Sequence, residues 1–290
     1  MYLTGFADEA ATDLAGQIRA TKELGWRNIE SRNIDGVNIH DLTDEAFDKA
    51  FEQLAAADIQ VNCFGSTIAN WGKDIRKPFD VDLEQTDRAI KRMQRLNCKM
   101  IRVMSYAVIP NRAPQDQMAN ERFRRLREIT ERFLAAGIQP VHENCMNYGG
   151  MGWSYTLKLL ENVPGLKLVF DTGNPVFTDD RTLPDADRKQ SSWNFYLNVK
   201  EHIAYIHIKD GFVIDDKTTY TWPGEGTADV VCICKHLLAS GYDGGISIEP
   251  HIGAVFHDPN VTSEDDRRFA VYVEYGRRME RILESIKPQA

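Results

Sequence analysis

The sequence contains no run of about 18 apolar residues, the least that a membrane-spanning helix needs, so nothing in it is expected to cross a bilayer. It also lacks a basic field. A net charge of -8 and a pI near 5.4 oppose a nucleic-acid surface. There is no Walker motif, no arginine cluster, and no G-x-G-x-x-G opening the first helix, so no phosphate or dinucleotide cradle is called for. Cysteine is scarce: Cys63, Cys98, Cys145, Cys232 and Cys234 are odd in number and have neither zinc-ribbon nor disulfide-framework spacing. They read as reduced thiols of a cytoplasmic protein. The opening residues, Met1 to Glu9, have no basic start or long apolar core and so do not form a secretory signal. No low-complexity or Pro/Gly-rich hinge divides the chain, so residues 1–290 are expected to form one domain.

What is present fits that domain. With 290 residues, 42% of them hydrophobic and 27% charged, the chain can bury one large core. Short apolar or β-branched runs alternate with helical patterns throughout: Tyr2 to Ala7, Asn28 to Arg32, Gln60 to Gly65, Met100 to Tyr106, Ile138 to Glu143, Lys167 to Asp171, Ala204 to Lys209 and Gly245 to Glu249. Helical stripes lie between them, such as Leu14, Ile18 and Leu24, or Phe123, Leu126, Ile129 and Phe133. Gly25, Gly137 and Gly241 mark helix ends just before a strand. Eight strand-then-helix units over this length predict an α/β (β/α)8 barrel. A doubly wound sheet would collect its polar residues at one switch point instead of spreading them over many strand ends. A long loop is expected from Val255 to Asp266, before a final helix from Arg267 to Ile286.

Glu143, Asp171, His207 and Glu249 stand at the ends of the last four strands, where a parallel barrel builds its active site. A strand-end Asp before Thr-Gly is often only a cap, and a single His in an apolar strand is often a core residue. Three oxygen donors and one imidazole in a common register predict a site for one divalent metal. Side chains two apart share a face, which puts Lys209 beside His207, Ser247 and His251 beside Glu249, and Glu30 with Arg32. Aromatic residues follow the strands at Trp71, Trp153, Phe177, Trp222 and Phe256, as a carbohydrate pocket would use them. The Gly224-Glu225-Gly226 turn offers backbone amides and Glu225 to a substrate. Glu9 and His40 follow the first two strands without an assigned role.

The motifs His142-Glu143-Asn144, Phe170-Asp171-Thr172-Gly173-Asn174, His207-Ile208-Lys209-Asp210 and Ile248-Glu249-Pro250 resemble the xylose isomerase-like TIM barrel superfamily. That group includes sugar phosphate isomerases and epimerases and AP endonuclease family 2. The resemblance implies a metal bound by Glu143, Asp171, His207 and Glu249, with Mn²⁺ favoured and Mg²⁺, Co²⁺ or Zn²⁺ as alternatives. It also implies a sugar isomerase or epimerase that moves a proton next to a carbonyl through an enediolate. Glu143 and Glu249 would serve as acid/base groups and Lys209 as a catalytic cation. Asn174, Trp71, His251 and Glu225 are the expected substrate contacts. Two departures stand out: Asn174 occupies the place where many family epimerases carry a His, and no Arg lies between Asp210 and Asp216.

The competing expectations are a lyase acting on a keto-inositol or 3-keto-glycoside, and a non-catalytic sugar-binding barrel. A multi-metal DNA-repair site is opposed by the seven dispersed histidines. The expected partner is a small carbohydrate, with no nucleic acid or membrane, and homo-oligomerisation is left open.

Overall fold

The computed structural model describes residues 1–184, 188–255 and 257–287. Twelve strands occur among them: β1 (Tyr2–Gly5), β2 (Asn28–Ser31), β3 (Asn33–Ile34), β4 (Val37–Asn38), β5 (Gln60–Gly65), β6 (Met100–Val103), β7 (Gln139–Glu143), β8 (Lys167–Asp171), β9 (Ile203–Ile208), β10 (Gly211–Ile214), β11 (Lys217–Tyr220) and β12 (Gly245–Ile248). The helices are α1 (Leu14–Glu23), α2 (Asp44–Ala57), α3 (Asp80–Leu96), α4 (Ala119–Ala135), α5 (Trp153–Asn162), α6 (Asn174–Phe177), α7 (Ser192–Val199), α8 (Val230–Ala239) and α9 (Asp265–Ile286).

Eight strands pair side by side in the order β1-β12-β9-β8-β7-β6-β5-β2, each pair parallel. A parallel bridge between Phe6 and Glu30 joins the two ends of the row, completing a TIM barrel. The expected eight units are therefore present, with all eight expected runs supplying the barrel strands. Two antiparallel hairpins, β3–β4 and β10–β11, are additions that the periodicity did not predict. Each follows a barrel strand so closely that it reads in sequence as that strand's continuation. The fourth run is shorter than expected: β6 ends at Val103, and Tyr106 has a φ of +64°.

Local chemistry sets the helix ends. Asp13 accepts from Gly16 N at 2.8 Å to start α1, and Thr43 accepts from Ala46 N at 3.2 Å to start α2. Gly25, Gly137 and Gly241 adopt φ values of +71°, +72° and +78° as the chain turns back toward β2, β7 and β12.

The main apolar core fills the space between strands and helices. A second cluster of Cys63, Val141, Val169 and Tyr205 fills the barrel interior. Val141, Val169 and Tyr205 are each two residues before Glu143, Asp171 and His207. The pleat therefore carries those three functional side chains inward, one layer above a packed floor. No helix among the described residues is long and apolar enough to cross a membrane.

Candidate metal centre and substrate cavity

Asp171 and His207 are lateral partners in the β8–β9 pairing, and His207 is paired in turn with Ser247 of β12. Glu143 ends β7, while Glu249 follows β12 directly and donates its amide to Ile208 O at 2.9 Å. One ligand atom from each of Glu143, Asp171, His207 and Glu249 can be chosen so that all four lie within 4.8 Å of one another. All four residues are buried.

Hydrogen bonds aim each group. Asn144 locks the ends of β7 and β8 together: its Oδ1 accepts from Asp171 N at 2.7 Å, and its Nδ2 donates to Asp171 O at 3.1 Å. Asp171 Oδ1 accepts from the amides of Gly173 and Asn174 at 2.7 and 2.8 Å, which leaves Oδ2 free of backbone donors. His207 Nε2 lies 3.2 and 3.0 Å from the two oxygens of Glu30, so Nδ1 faces the other ligands. Glu30 is itself fixed by Tyr205 Oη at 3.0 Å and Ser247 Oγ at 2.6 Å. A carboxylate behind an imidazole is the usual way to orient a metal-binding histidine.

The donor set passes a direct test of fit for a divalent ion. Asp171 Oδ2 and His207 Nδ1 are buried and have no hydrogen-bond partner, although Lys209 Nζ stands 2.8 Å from the former. His207 Nδ1 lies 3.8 Å from Glu143 Oε1 and 3.9 Å from Glu249 Oε2. A nitrogen and three carboxylates converging in a buried site suit one divalent cation.

Cations surround this acid cluster. Arg102 Nη1 donates to Glu143 Oε2 at 2.9 Å, while Asn174 Nδ2 donates to Oε1 at 3.0 Å. Glu249 meets Arg32 Nη1 at 3.1 Å through Oε1, and Lys209 Nζ at 3.1 Å through Oε2. Arg32 also pairs with Asp8 at 2.9 Å and Glu9 at 3.5 Å.

These charges override burial for most of the site. Burial alone would raise the Glu143 pKa, but Arg102 and then His207 hold it down at about 2. Glu249 also sits well below the usual carboxylate range, because Lys209, His251 and Arg32 outweigh its burial. Asp171 goes the other way: burial pushes it up to about 6 in spite of Lys209. For His207, burial opposes protonation, but Glu30 and Glu143 raise its pKa to about 10. Lys209 is held well above its ordinary value by Asp171 and Glu249, against the effect of burial.

Lys209 is clamped to the loop after β8. Its amide donates to Thr172 Oγ1 at 3.1 Å, and that hydroxyl donates to Lys209 O at 2.7 Å. A Cβ at Gly173 would lie 2.8 Å from Lys209 Cγ and 3.0 Å from Lys209 O, so the glycine of Asp-Thr-Gly gives the lysine its room.

Two of the four, Glu143 and Glu249, line a cavity of about 260 Å³, together with Arg32 and Arg102. His251 Nδ1 is 2.9 Å from Glu9 Oε1, and its Nε2 is 3.6 Å from Glu249 Oε1. Asn174, Trp71, Lys209 and His251 all border this cavity.

Glu225 does not. It is exposed and ion-paired with Arg278, outside the cavity. The amides of Gly224 and Gly226 are taken by Asp210 Oδ2 at 2.8 and 3.1 Å, so this turn is a buried-carboxylate clasp and no cradle for substrate. Phe177 borders the cavity, but Trp153 and Trp222 do not. Trp222 packs on Tyr275 with Arg278 over its ring. Phe256 lies outside the described residues. His40 is buried behind the β5 loop, where its Nε2 accepts from Thr67 N at 3.1 Å.

Sequence reasoning gave no role to Arg102, Arg32, Glu30 or Glu9. The signal for Arg102 was a lone arginine in the apolar run Met100 to Val103; the other three show only as charges after or within the first two strands.

Fold and site together define an α/β barrel with a four-ligand cluster able to bind one divalent cation. The profile of the xylose isomerase-like TIM barrel matches residues 18–270, and the chain belongs to that family. No curated protein matches it. Among solved structures, it is similar to a D-tagatose 3-epimerase-like protein at 17% identity and a TM-score of 0.71, covering 99% of this chain and 98% of the other. A xylose isomerase-like TIM barrel protein from Mycobacterium smegmatis in complex with magnesium matches at 15% identity and a TM-score of 0.70, covering 94% and 89%. The probable 3-DHS dehydratase of Bacillus anthracis matches at 14% identity and a TM-score of 0.68, covering 97% and 99%.

Proposed function

We propose that this protein is a divalent-metal-dependent sugar isomerase or epimerase that transfers a proton at a carbon next to a carbonyl. The observation that carries this reading is the convergence of Glu143, Asp171, His207 and Glu249, two of them bordering a small cavity, with the Asp171 Oδ2 and His207 Nδ1 atoms left without hydrogen bonds. A bound divalent ion would act as a Lewis acid on the carbonyl and neighbouring hydroxyl oxygens, making the adjacent C–H acidic.

The chain's own residues supply the remainder. Lys209, at the edge of the cavity, balances negative charge as it develops on the substrate oxygen. Glu249 is the proton acceptor on its side, and His251, at 3.6 Å from it, is the group through which that proton can leave. Trp71 and Phe177 offer apolar faces to the ring of a sugar. Manganese remains the favoured metal, on the mixed oxygen and imidazole donor set.

A second reading, a lyase, is supported by Asn174, which stands where many family epimerases carry a His. Epimerisation needs a proton carrier on each face of the substrate, whereas elimination needs one base and a leaving group.

The test is incubation of Mn²⁺-loaded protein with ketoses, keto-inositols and 3-keto-glycosides in heavy water, followed by mass spectrometry. Deuterium gain in an isomer supports the first reading; loss of water or of an aglycone supports the second. Binding of a sugar with neither outcome would identify a non-catalytic barrel.

A further inference from the structure

The connection after β9 carries a hairpin that barrel closure does not require. β10 and β11 pair only with each other, and Gly211 stands opposite Tyr220 at the hairpin's base. Asp210, fully buried, pins both ends of this insertion. Its Oδ1 accepts from the amides of Gly211 and Ala228 at 2.8 and 3.0 Å, while its Oδ2 takes Gly224 and Gly226. Its carbonyl accepts from Thr221 N at 3.0 Å, one residue past β11. The clasp thus fixes where the chain leaves the barrel and where it returns, and Tyr220 is held at that return.

Among the described residues, Tyr220 is the only tyrosine that lines the metal cavity. Its ring makes edge contacts with Phe177 and His251, with centroids 5.1 and 5.0 Å apart. Phenylalanine would make both contacts as well; what tyrosine adds is the hydroxyl. That hydroxyl has no hydrogen-bond partner among the described residues and is not sealed from solvent. Elsewhere in the barrel phenols are satisfied: Tyr106 Oη donates to Asp82 at 2.8 Å and Tyr205 Oη to Glu30 at 3.0 Å. A phenol on a cavity wall with no protein partner is left to a ligand.

Charge determines what it offers that ligand. Apart from burial, the groups acting on the phenol are Lys209, Glu249, Asp171 and Glu9, so it stands in the field of the candidate metal cluster. Burial pushes its pKa up to about 12, with Lys209 opposing. Near neutral pH the group keeps its proton, which makes it a donor and not a base.

We propose that Tyr220 is a further catalytic residue, a neutral hydrogen-bond donor to the substrate oxygen on which charge develops as the adjacent C–H loses its proton. The role rests on the enolate chemistry given above and is common to its isomerase and lyase forms. The phenolic proton stays on Tyr220, and no bond of the residue forms or breaks. Its hydrogen bond strengthens as the oxygen becomes anionic. Lys209 supplies a full charge from the barrel, and Tyr220 a directed hydrogen from the hairpin.

The experiment is calorimetric titration of the intact, Mn²⁺-loaded protein with glycolohydroxamic acid and D-erythronohydroxamic acid. A hydroxamate is planar, with two adjacent oxygens and an accessible anionic form, so it imitates an enediolate. Tyr220→Phe keeps the ring and removes only the hydroxyl. Loss of one donor to an anionic oxygen is expected to weaken binding of at least one hydroxamate about 10- to 100-fold. Mn²⁺ affinity, measured separately, is expected to stay within about twofold, since the phenol is not among the candidate ligands. Equal hydroxamate affinity in parent and variant would overturn the role while leaving the enolate reading in place. An equal loss of Mn²⁺ affinity would also overturn it, by showing that the change acts through the metal site. If neither hydroxamate binds the parent protein, the enolate reading fails and the role of Tyr220 fails with it.

Discussion

The Lys209 ammonium lies 2.8 Å from Asp171 Oδ2, a buried atom of the candidate metal cluster. A cation of the protein itself is therefore set against the carboxylates that would hold a metal, and it also contacts Glu249 at 3.1 Å. Lys209→Met should strengthen Mn²⁺ binding on the order of tenfold, because a competing positive charge is removed from beside the site. Turnover should nevertheless fall about a hundredfold or more through loss of oxyanion stabilisation. Titration calorimetry and steady-state kinetics on the same preparation check both. Weaker metal binding with unchanged turnover would make the lysine a structural support.

Glu249→Gln should lower turnover by about a thousandfold or more, as expected for loss of a base. The fold should survive. Arg32 keeps Asp8 and Glu9, and Lys209 keeps Asp171, so neither cation is stranded. Near-parental activity with a parental melting curve would exclude Glu249 as the base.

Glu30 does not approach the cavity, yet it holds His207 Nε2 from behind. Glu30→Gln should cost about 10- to 100-fold in Mn²⁺ affinity, the usual effect of losing the carboxylate that orients a ligating histidine. Equilibrium metal competition gives the number directly, and unaltered affinity would argue that His207 is not a ligand.

His40, which is not part of the candidate metal cluster, gives a pH dependence. Burial lowers its pKa below the ordinary 6.5 of a histidine, and its Nε2 accepts the Thr67 amide, an arrangement that requires the neutral ring. A histidine depressed in the folded state contributes stability that is present above its unfolded pKa and is lost as pH falls through the window below 6.5. His142 and His257, both pushed down to about 4 chiefly by burial, act with the same sign. Urea unfolding from pH 7 to pH 4.5 should therefore show declining stability. His40→Gln, whose side-chain oxygen can still accept the amide, should flatten the decline, whereas an unchanged slope would assign it to other groups.

The family profile and the barrel agree with the eight-unit reading because that reading rested on local properties. Strand periodicity, helix caps such as Asp13 and Thr43, and the left-handed glycines Gly25, Gly137 and Gly241 are fixed within a few residues of chain. The candidate ligands were legible for the same reason. Val141, Val169 and Tyr205 precede Glu143, Asp171 and His207 by two, so a strand with its apolar residue inward also carries the functional residue inward.

Tertiary structure decided what surrounds those ligands. Arg32 reaches Glu249 across 217 residues, and Glu30 reaches Ser247 across the same separation, through the β1–β2 and β1–β12 neighbourhood that closes the barrel. No local pattern encodes such pairings, because they depend on barrel closure and register. Glu225 failed as a substrate contact on similar grounds: Asp210 claims the amides on either side of it, and Arg278 of α9 draws its carboxylate to the surface. The sequence by itself determined which residues stand at the strand ends. Which charges clamp them, and what cleft adjoins them, followed only from packing distant segments together.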